Sequence, residues 1–382
     1  MLPYGRQSID DDDIAAVVEA LRSAFLTTGP IVAGFEAALA DATGAPLVAT
    51  VSAGTAALHA AYRAVGIGPD DEVVVPALTF AATANAALYL GARPVFADVD
   101  RETGTLDPKA AERVITRRTR AIVAVDYAGH PADYDALRDI ASRRGLALVD
   151  DAAHSLGATD RGRRIGELAD VATLSFHPVK HITTGEGGAV ITRDPDVHRK
   201  VVEFRSHGMV REEGRLQRHE GAWHHEMQDL GFNYRLTDVQ CALGISQLRK
   251  LPSFLERRRA IAAQYDRDLS DLGAFRIPGR RDGVEPAWHL YVLRVDGDPT
   301  DRARRRRVAF DALRERGLGV QVHYLPVYLH PYYQDLGYGS GLCPVAEGFY
   351  SRAISIPIFP AMTDAEVDSV VEAVREVAAE MN

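Results

Sequence analysis

The sequence predicts an α/β fold in which a mostly parallel central sheet carries helices on both faces, followed by a smaller α+β region. Two observations support this prediction. Short β-branched, apolar runs alternate with segments of helical length, as they do in sheets built from βαβ units. The runs are also almost continuously apolar, which is typical of strands buried on both faces. The predicted strands are residues 47–51, 73–75, 94–97, 121–125, 147–150, 171–176 and 189–192.

Helices are predicted between these strands, where apolar residues recur at helical spacing. They include residues 55–65, 107–116 and 133–144. A longer helical pattern covers residues 238–269, and Pro252 within it is predicted to end one helix and to begin another.

The last part of the chain mixes strand and helix patterns. Strand-like runs lie at 290–295 and 319–324, and helical patterns lie at 303–316 and from 364 onward. A chain of 382 residues is too long for one simple core. We therefore predict two domains, a large one over residues 1–250 and a small C-terminal one over residues 251–382.

Composition and charge narrow the functional classes. The chain is 46% hydrophobic and 25% charged, as globular proteins are. Its net charge of −9 gives no overall attraction to nucleic acid or to an anionic membrane. The two cysteines, Cys241 and Cys343, form no CxxC pair, which disfavours a disulfide framework and a cysteine zinc site. Because residues 1–13 begin polar and become acidic, unlike a signal peptide, we expect a cytoplasmic protein.

Two further patterns argue against a membrane span and a metal site. The stretch between Glu72 and Arg93 carries no charge, but Pro76 within it favours a strand, a turn and a helix of small residues. The run Trp-His-His-Glu at 223–226 lacks the second histidine of an HExxH zinc motif. We therefore expect neither a membrane span nor a bound metal.

Two adjacent aspartates, Asp150 and Asp151, lie at the end of a predicted buried strand. Successive side chains of a strand point to opposite faces, so these two cannot serve one pocket. This argues against a glycosidase, whose two carboxyl groups face the same bond. A single carboxylate at the carboxyl end of such a strand suits a cationic ligand ring. Capping of the following helix is the alternative interpretation.

Lys180 follows the predicted strand 171–176 and precedes a loop rich in threonine and glycine. It is either a surface charge or, if desolvation lowers its pKa, a nucleophile for carbonyl groups. Ser175 at the end of that strand is a candidate phosphate ligand. A second phosphate candidate is the Ser-Ala-Gly-Thr segment 52–55, where a strand ends and a helix begins. Simple capping of that helix by Ser52 is the alternative there.

Together these segments closely resemble the pyridoxal-phosphate-dependent sugar aminotransferases of the DegT/DnrJ/EryC/StrS family. The resemblance covers nearly the whole chain in the right order. The matching segments are residues 25–30, 54–55, 76–85, 150–155, 175–188, 231–235, 237–248 and 322–326. It implies the fold type I architecture of pyridoxal-phosphate enzymes and an enzyme that uses pyridoxal 5'-phosphate as its cofactor.

The resemblance also implies roles at the cofactor ring. The lysine that Lys180 matches bonds to the cofactor's aldehyde and then moves a proton during the reaction. Asp151 matches the carboxylate that pairs with the pyridine nitrogen. His154 falls where the family has a residue near the ring's 3-oxygen. Phe80 matches the aromatic residue that stacks on the ring, although its sequence pattern alone would place it in the core.

Further family positions concern the cofactor phosphate. Gly54, Thr55 and Ser175 match phosphate ligands of the family. Asn233 matches an asparagine that reaches the phosphate from the neighbouring subunit. The resemblance therefore implies a homodimer with shared active sites.

The substrate side of the site is also suggested by family positions. Arg235, His323 and Tyr324 match positions near the sugar-nucleotide substrate. His181 lies in a matching segment and His207 lies in the motif-like run Ser-His-Gly at 206–208, but neither residue receives a role.

The resemblance favours transamination, because the family branch that dehydrates its substrate has histidine at the position of Lys180. The local sequences at residues 176–180, 25–30 and 330–338 are most similar to those of 4-aminotransferases of pseudaminic acid biosynthesis. We expect transfer of an amino group from an amino acid, L-glutamate, to C4 of a nucleotide-linked 4-keto-6-deoxy sugar such as UDP-4-keto-6-deoxy-N-acetylhexosamine. A 3-keto sugar nucleotide or a keto-cyclitol is an alternative acceptor. A non-catalytic pyridoxal-phosphate-binding regulator is a further alternative, although no added DNA-binding segment or basic excess is visible.

Overall fold

The computed structural model describes residues 1–298 and 300–381, and its centre is a seven-stranded sheet. The spatial order of its strands is β1-β7-β6-β5-β4-β2-β3, and all neighbours are parallel except those of β7. The strands are β1 Leu47–Val51, β2 Glu72–Pro76, β3 Arg93–Ala97, β4 Thr119–Val125, β5 Ala147–Asp151, β6 Val171–Ser175 and β7 Gly188–Thr192. The predicted α/β fold class is confirmed, and each predicted strand of the sheet forms within two residues of its expected ends.

Helices connect these strands and cover the sheet. The α-helices of the described residues are α1 Asp11–Arg22, α2 Pro30–Thr43, α3 Gly54–Ala64, α4 Ala81–Tyr89, α5 Pro108–Val114, α6 Tyr134–Arg144, α7 Pro195–Phe204, α8 Asp238–Leu269, α9 Arg302–Glu315, α10 Pro331–Asp335, α11 Pro344–Tyr350 and α12 Asp364–Met381. Local sequence explains several of their starts. Asp10 and Asp13 form a capping box at α1, Thr237 and Gln240 form one at α8, and proline opens α2, α5 and α7.

The C-terminal part contains a small antiparallel sheet. Its strands are β8 Phe275–Arg276, β9 Tyr291–Val295 and β10 Ala353–Ile356, with β9 in the middle. A separate hydrophobic core forms here between this sheet, the second half of α8, α9 and α12. Two-residue strand pairs elsewhere are Leu2–Pro3 with Leu318–Gly319, Met209–Val210 with Glu226–Met227, and Thr159–Asp160 with Arg163–Arg164 and with Val284–Glu285.

The predicted break at Pro252 is wrong, because α8 runs without interruption from Asp238 to Leu269. Pro252 lies on the exposed side of this helix, while Leu251 and Leu255 are buried in the core. Packing of the buried face outweighs the hydrogen bond that proline removes. The helix passes through position 250, so the proposed division into residues 1–250 and 251–382 falls inside a continuous element and stays a prediction.

The predicted strand 319–324 is also wrong for most of its length. Only Leu318–Gly319 pairs with a neighbouring strand, and Gln321 makes a single bridge to Ser355. The following residues, His323 and Tyr324, turn instead toward the large cavity described below.

The uncharged stretch after Glu72 folds as predicted into strand β2, a turn and α4. No helix among residues 1–298 and 300–381 has both the length and the apolar character that crossing a membrane requires.

Residues 286–290, which we call the crossing segment, pass over the carboxyl ends of β4 and β5 and join the two sheets. Ala287 N donates to Gly129 O at 2.9 Å, and Leu290 N donates to Ala128 O at 3.3 Å. Gly129 has φ of +95°, and a Cβ atom there would lie 2.8 Å from Trp288 N. The segment therefore requires glycine at 129, both for the backbone conformation and for the close approach.

We expect Gly129→Ala to destabilise the protein more than Gly145→Ala. Gly145 also has positive φ, +64°, but a Cβ atom there meets nothing within 4 Å. Both substitutions cost about 1 to 2 kcal/mol for the left-handed conformation, and the contact with the crossing segment adds about 2 kcal/mol only at 129. Denaturant unfolding of the two variants measures the difference. Equal losses of unfolding free energy would show that the crossing segment is not tightly packed on Gly129.

Candidate active site

A cavity of about 460 Å³ lies at the carboxyl ends of β1, β5 and β6. In a parallel sheet this is the edge at which ligands bind. The cavity brings together nine of the predicted site residues. They are Gly54, Thr55, Phe80, Asp151, His154, Ser175, Lys180, His323 and Tyr324.

Lys180 lies on a tight turn that follows β6, with its backbone N–H donating to His177 O at 2.9 Å. Its side chain is partly buried and lines the cavity. Desolvation by burial lowers the pKa of Lys180 to about 8, although the charge of Asp151 opposes this shift. About a tenth of the amine is therefore unprotonated at pH 7, which is the form that a nucleophile for a carbonyl group must have.

Asp151 ends strand β5 and is only 5% exposed. One carboxylate oxygen accepts a hydrogen bond from the Thr83 hydroxyl at 2.7 Å, and the other accepts from Ala153 N at 3.3 Å. Burial raises the pKa of Asp151, while Thr83 and the charge of Lys180 act in the opposite direction. A second cation in the cavity, such as a protonated ring nitrogen, would further stabilise the ionised carboxylate of Asp151.

The amino end of α3 forms the second part of the cavity wall. The N-cap of this helix is Ala53, and no side chain caps it, so capping by Ser52 is wrong. The first N–H groups of α3 are therefore free of a side-chain acceptor and can bind an anion. A Cβ atom at Gly54 would lie 2.9 Å from Ser175 Cβ, so glycine lets the helix start approach the Ser175 hydroxyl.

Aromatic and imidazole rings complete the cavity. Phe80 is 62% exposed and lies at the rim, where its ring can contact a bound ligand. The Tyr324 hydroxyl lies 3.2 Å from His154 Nε2, and His323 Nδ1 lies 2.8 Å from the Ser355 hydroxyl. Burial lowers the pKa of His154 well below its usual value and that of His323 to about 4, so both imidazoles are neutral.

The sequence analysis missed other cavity residues, among them Thr83, Tyr4 and His289. Thr83 lies within a matching segment, but its hydrogen bond to Asp151 spans 68 positions and leaves no local signal. Tyr4 comes from the amino end of the chain and packs against His323, with 5.2 Å between ring centroids. His289 comes from the crossing segment, which matches no motif.

Two predicted site residues do not reach this cavity within one chain. Asn233 is exposed and makes an antiparallel bridge with Ser206. Arg235 lines a separate cavity of about 250 Å³ together with Glu36 and Arg205. Their predicted roles at the cofactor phosphate and the substrate remain predictions.

Asp150 and Asp151 face opposite sides of the sheet, as strand alternation predicts. Asp150 is fully buried away from the cavity, on the face that also carries Asp126 and Tyr134. Asp126 accepts hydrogen bonds from the Tyr134 hydroxyl at 2.8 Å and from Ala132 N at 2.9 Å. Burial raises the pKa of Asp126 to about 7 and that of Asp150 well above its usual value.

Within the described part of the chain, histidine, cysteine and acidic side chains form no cluster of three or more that could hold a metal ion. The cavity instead offers an amine, a buried acid, an open helix start and an exposed ring. These groups fit the aldehyde, the ring nitrogen, the phosphate and the ring face of pyridoxal phosphate.

A profile of the DegT/DnrJ/EryC1/StrS aminotransferase family matches residues 7–375. The chain belongs to this family. It is 39% identical over 378 residues to the spore coat polysaccharide biosynthesis protein SpsC of Bacillus subtilis, covering 98% of this chain and 97% of SpsC.

Solved structures agree with this assignment. Helicobacter pylori PseC, an aminotransferase involved in the biosynthesis of pseudoaminic acid, superposes with a TM-score of 0.92 and 32% identity over 99% of each chain. The putative sugar aminotransferase Spr1654 of Streptococcus pneumoniae in its PMP form superposes with a TM-score of 0.93 and 30% identity over 100% of each chain. The present chain is thus a sugar aminotransferase of this family, and its cofactor is pyridoxal phosphate.

We expect Asp126→Asn to weaken the dependence of stability on pH. The folded protein holds a proton on Asp126 up to about pH 7, whereas the unfolded chain loses it near pH 4. Stability contributed by this group is therefore lost as the pH rises from about 4 to about 7, by up to about 1.4 kcal/mol per pH unit. Denaturant unfolding across this range measures the slope, which should decrease in Asp126→Asn.

Asp139→Asn is the matched control, because Asp139 lies on the exposed side of α6. The slope of this variant should equal that of the wild type. If Asp126→Asn also kept the wild-type slope, Asp126 would be ionised in the folded protein throughout this pH range.

Proposed function

We propose that this aminotransferase moves an amino group from an amino acid, L-glutamate, to C4 of a nucleotide-linked 4-keto-6-deoxy sugar. UDP-4-keto-6-deoxy-N-acetylhexosamine is the proposed acceptor. The observation that carries the proposal is that Lys180, with its lowered pKa, shares one cavity with the buried carboxylate of Asp151. The similarity to PseC supports the sugar class.

When bound, pyridoxal phosphate supplies an aldehyde carbon that accepts the amino group and a ring that delocalises electrons. Lys180 Nζ would take a proton from the amino-acid carbon and deliver it to the aldehyde carbon of the cofactor, and it would move a proton in the opposite direction, onto C4 of the sugar, when the sugar is aminated. Asp151 keeps the ring nitrogen protonated, and Thr83 holds the carboxylate of Asp151 in place. Phe80 covers one face of the ring at the cavity rim.

The other end of the site binds the phosphate of the cofactor. Thr55 and Ser175 supply hydroxyl groups, and the first N–H groups of α3 supply further donors and the positive end of the helix dipole. His323 and Tyr324 line the same cavity as Lys180, and we place the sugar beside them.

The proposal includes a homodimer in which Asn233 of one subunit completes the phosphate site of the other. Asn233 is exposed and outside its own chain's cavity. Large apolar side chains near it in sequence or in the fold are also exposed, as expected of a covered surface. These side chains are Phe25, Leu26, Met227, Leu230 and Phe232. Cys241 and Cys343 are both free and buried, which suits the reducing cytoplasm where we place the reaction.

The acceptor can be tested directly with the purified holoenzyme and ¹⁵N-labelled L-glutamate. We expect the label to appear at C4 of the product from UDP-4-keto-6-deoxy-N-acetylhexosamine, as read by nuclear magnetic resonance. Lys180→Ala should lose activity by about three orders of magnitude, and borohydride should no longer fix the cofactor to the chain. Lys200→Ala, on α7 away from the cavity, is the control.

Labelling at C3, or faster turnover of a 3-keto sugar nucleotide or a keto-cyclitol, would replace the proposed acceptor. Full activity of Lys180→Ala would refute the role of that amine. Turnover of none of the three acceptors by the holoenzyme would contradict both the proposed acceptor and its two alternatives.

The shared site can be tested by mixing inactive variants. In a reassorted mixture of Lys180→Ala and Asn233→Asp, each mixed dimer keeps one intact site only if Asn233 acts across the interface. Random reassortment should then recover about a quarter of the wild-type activity.

Lys180→Ala mixed with the double variant Lys180→Ala, Asn233→Asp is the control and should stay inactive. If the first mixture also stayed inactive although mixed dimers form, Asn233 would act within its own subunit.

A further inference from the structure

His289 occupies a position beside the proposed cofactor site. It is 5% exposed, lines the cavity with Lys180, and packs at a tilt against the ring of His154. The two imidazole centroids are 4.2 Å apart, with 37° between the ring planes. This is a packed contact between two buried rings rather than a hydrogen bond.

The backbone that carries His289 is held from several directions. Arg258, fully buried on α8, donates through one nitrogen to Trp288 O at 3.0 Å and to Ile358 O at 2.9 Å. His181 Nε2 lies 3.0 Å from Ala287 O. Trp288 adopts φ of +51°, a conformation that persists only where the surroundings impose it. These contacts fix the position of the backbone that carries the His289 ring.

His154, by contrast, has few polar contacts of its own. Its Nε2 lies 3.2 Å from the Tyr324 hydroxyl. Its Nδ1 is buried and has no hydrogen-bond partner among the described residues. One hydrogen bond to a hydroxyl, which can itself rotate, leaves the tilt of an imidazole ring open. The ring of His289, packed against His154, restricts this tilt.

We infer that His289 is a positioning residue, whose ring holds the imidazole of His154 in the orientation that presents Nε2 to Tyr324 and the cofactor ring. The inference rests on the proposed site, in which His154 lies near the ring's 3-oxygen. His289 acts through His154 and exchanges no proton with the substrate. Only the packing of its ring against His154 is required, so another flat ring can replace its imidazole.

The contact is tested with two substitutions at one position. His289→Ala removes the ring, and His289→Phe keeps a flat ring but no nitrogen. His198→Ala is the matched control, since His198 is partly buried on α7 and its Nε2 contacts Val48 O, away from the cavity. Thermal unfolding confirms that each variant folds.

Three readouts separate positioning from other roles. The first is the ¹⁵N resonance pattern of the His154 imidazole in the cofactor-free protein. The second is the pH midpoint of the visible absorbance of the holoenzyme without substrate. The third is the division of any loss between kcat and KM.

We expect His289→Ala to change the His154 resonances, to move the absorbance midpoint by about half a pH unit, and to lower kcat about tenfold with KM nearly unchanged. His289→Phe should restore most of each value, and His198→Ala should match the wild type. If His289→Phe were as impaired as His289→Ala while the His154 resonances stayed unchanged, His289 would act through its nitrogen. If His289→Ala changed nothing, the contact would have no role.

Failure of the proposed function would look different. The wild-type protein would then show no visible absorbance that borohydride fixes to Lys180. The His154 resonances of the cofactor-free variants would still report whether His289 orients that ring.

Discussion

The site depends on the electrostatic balance between one buried acid and one amine that share a cavity. Asp151 ends β5 and Lys180 follows β6, so two adjacent parallel strands deliver them to the same edge. Loss of water raises the pKa of Asp151 and lowers that of Lys180, while the charge of each favours the charged form of the other. A protonated ring nitrogen at Asp151 would take over the role of cation, so that Lys180 can give up its charge and attack as an amine.

Strand alternation makes this balance possible. Asp150 and Asp151 are neighbours in sequence, yet only Asp151 reaches the cavity, and Asp150 is buried with Asp126 on the other face. Had both carboxylates entered the cavity, their repulsion would have favoured a protonated Asp151 and weakened its hold on a cation. Side chains alternate between the two faces of any strand, so the sequence alone predicted that Asp150 and Asp151 could not act together on one bond as the two carboxyl groups of a glycosidase do.

The sequence predicted the central sheet and nine cavity residues because their signals are local. A run of apolar residues by itself predicts a buried strand, and the residues of a family segment such as 175–188 keep a fixed spacing along the chain. Thr83 and His289 were missed because their roles arise from contacts with Asp151 and His154, which are distant in the chain. The break predicted at Pro252 was wrong for a related reason. The packing of α8 against other elements overrides the local tendency of proline to end a helix.

The continuity of α8 has a consequence for the site. Leu255 packs on Gly157, close to the loop that carries His154, and Arg258 one turn later holds the carbonyl groups of the crossing segment. One rigid helix therefore touches both the loop beneath His154 and the backbone that delivers His289. A break at Pro252 would let these two contacts move independently, and the distance between the two imidazole rings would no longer be fixed. Because α8 is uninterrupted, the ring of His289 can hold His154 in one orientation.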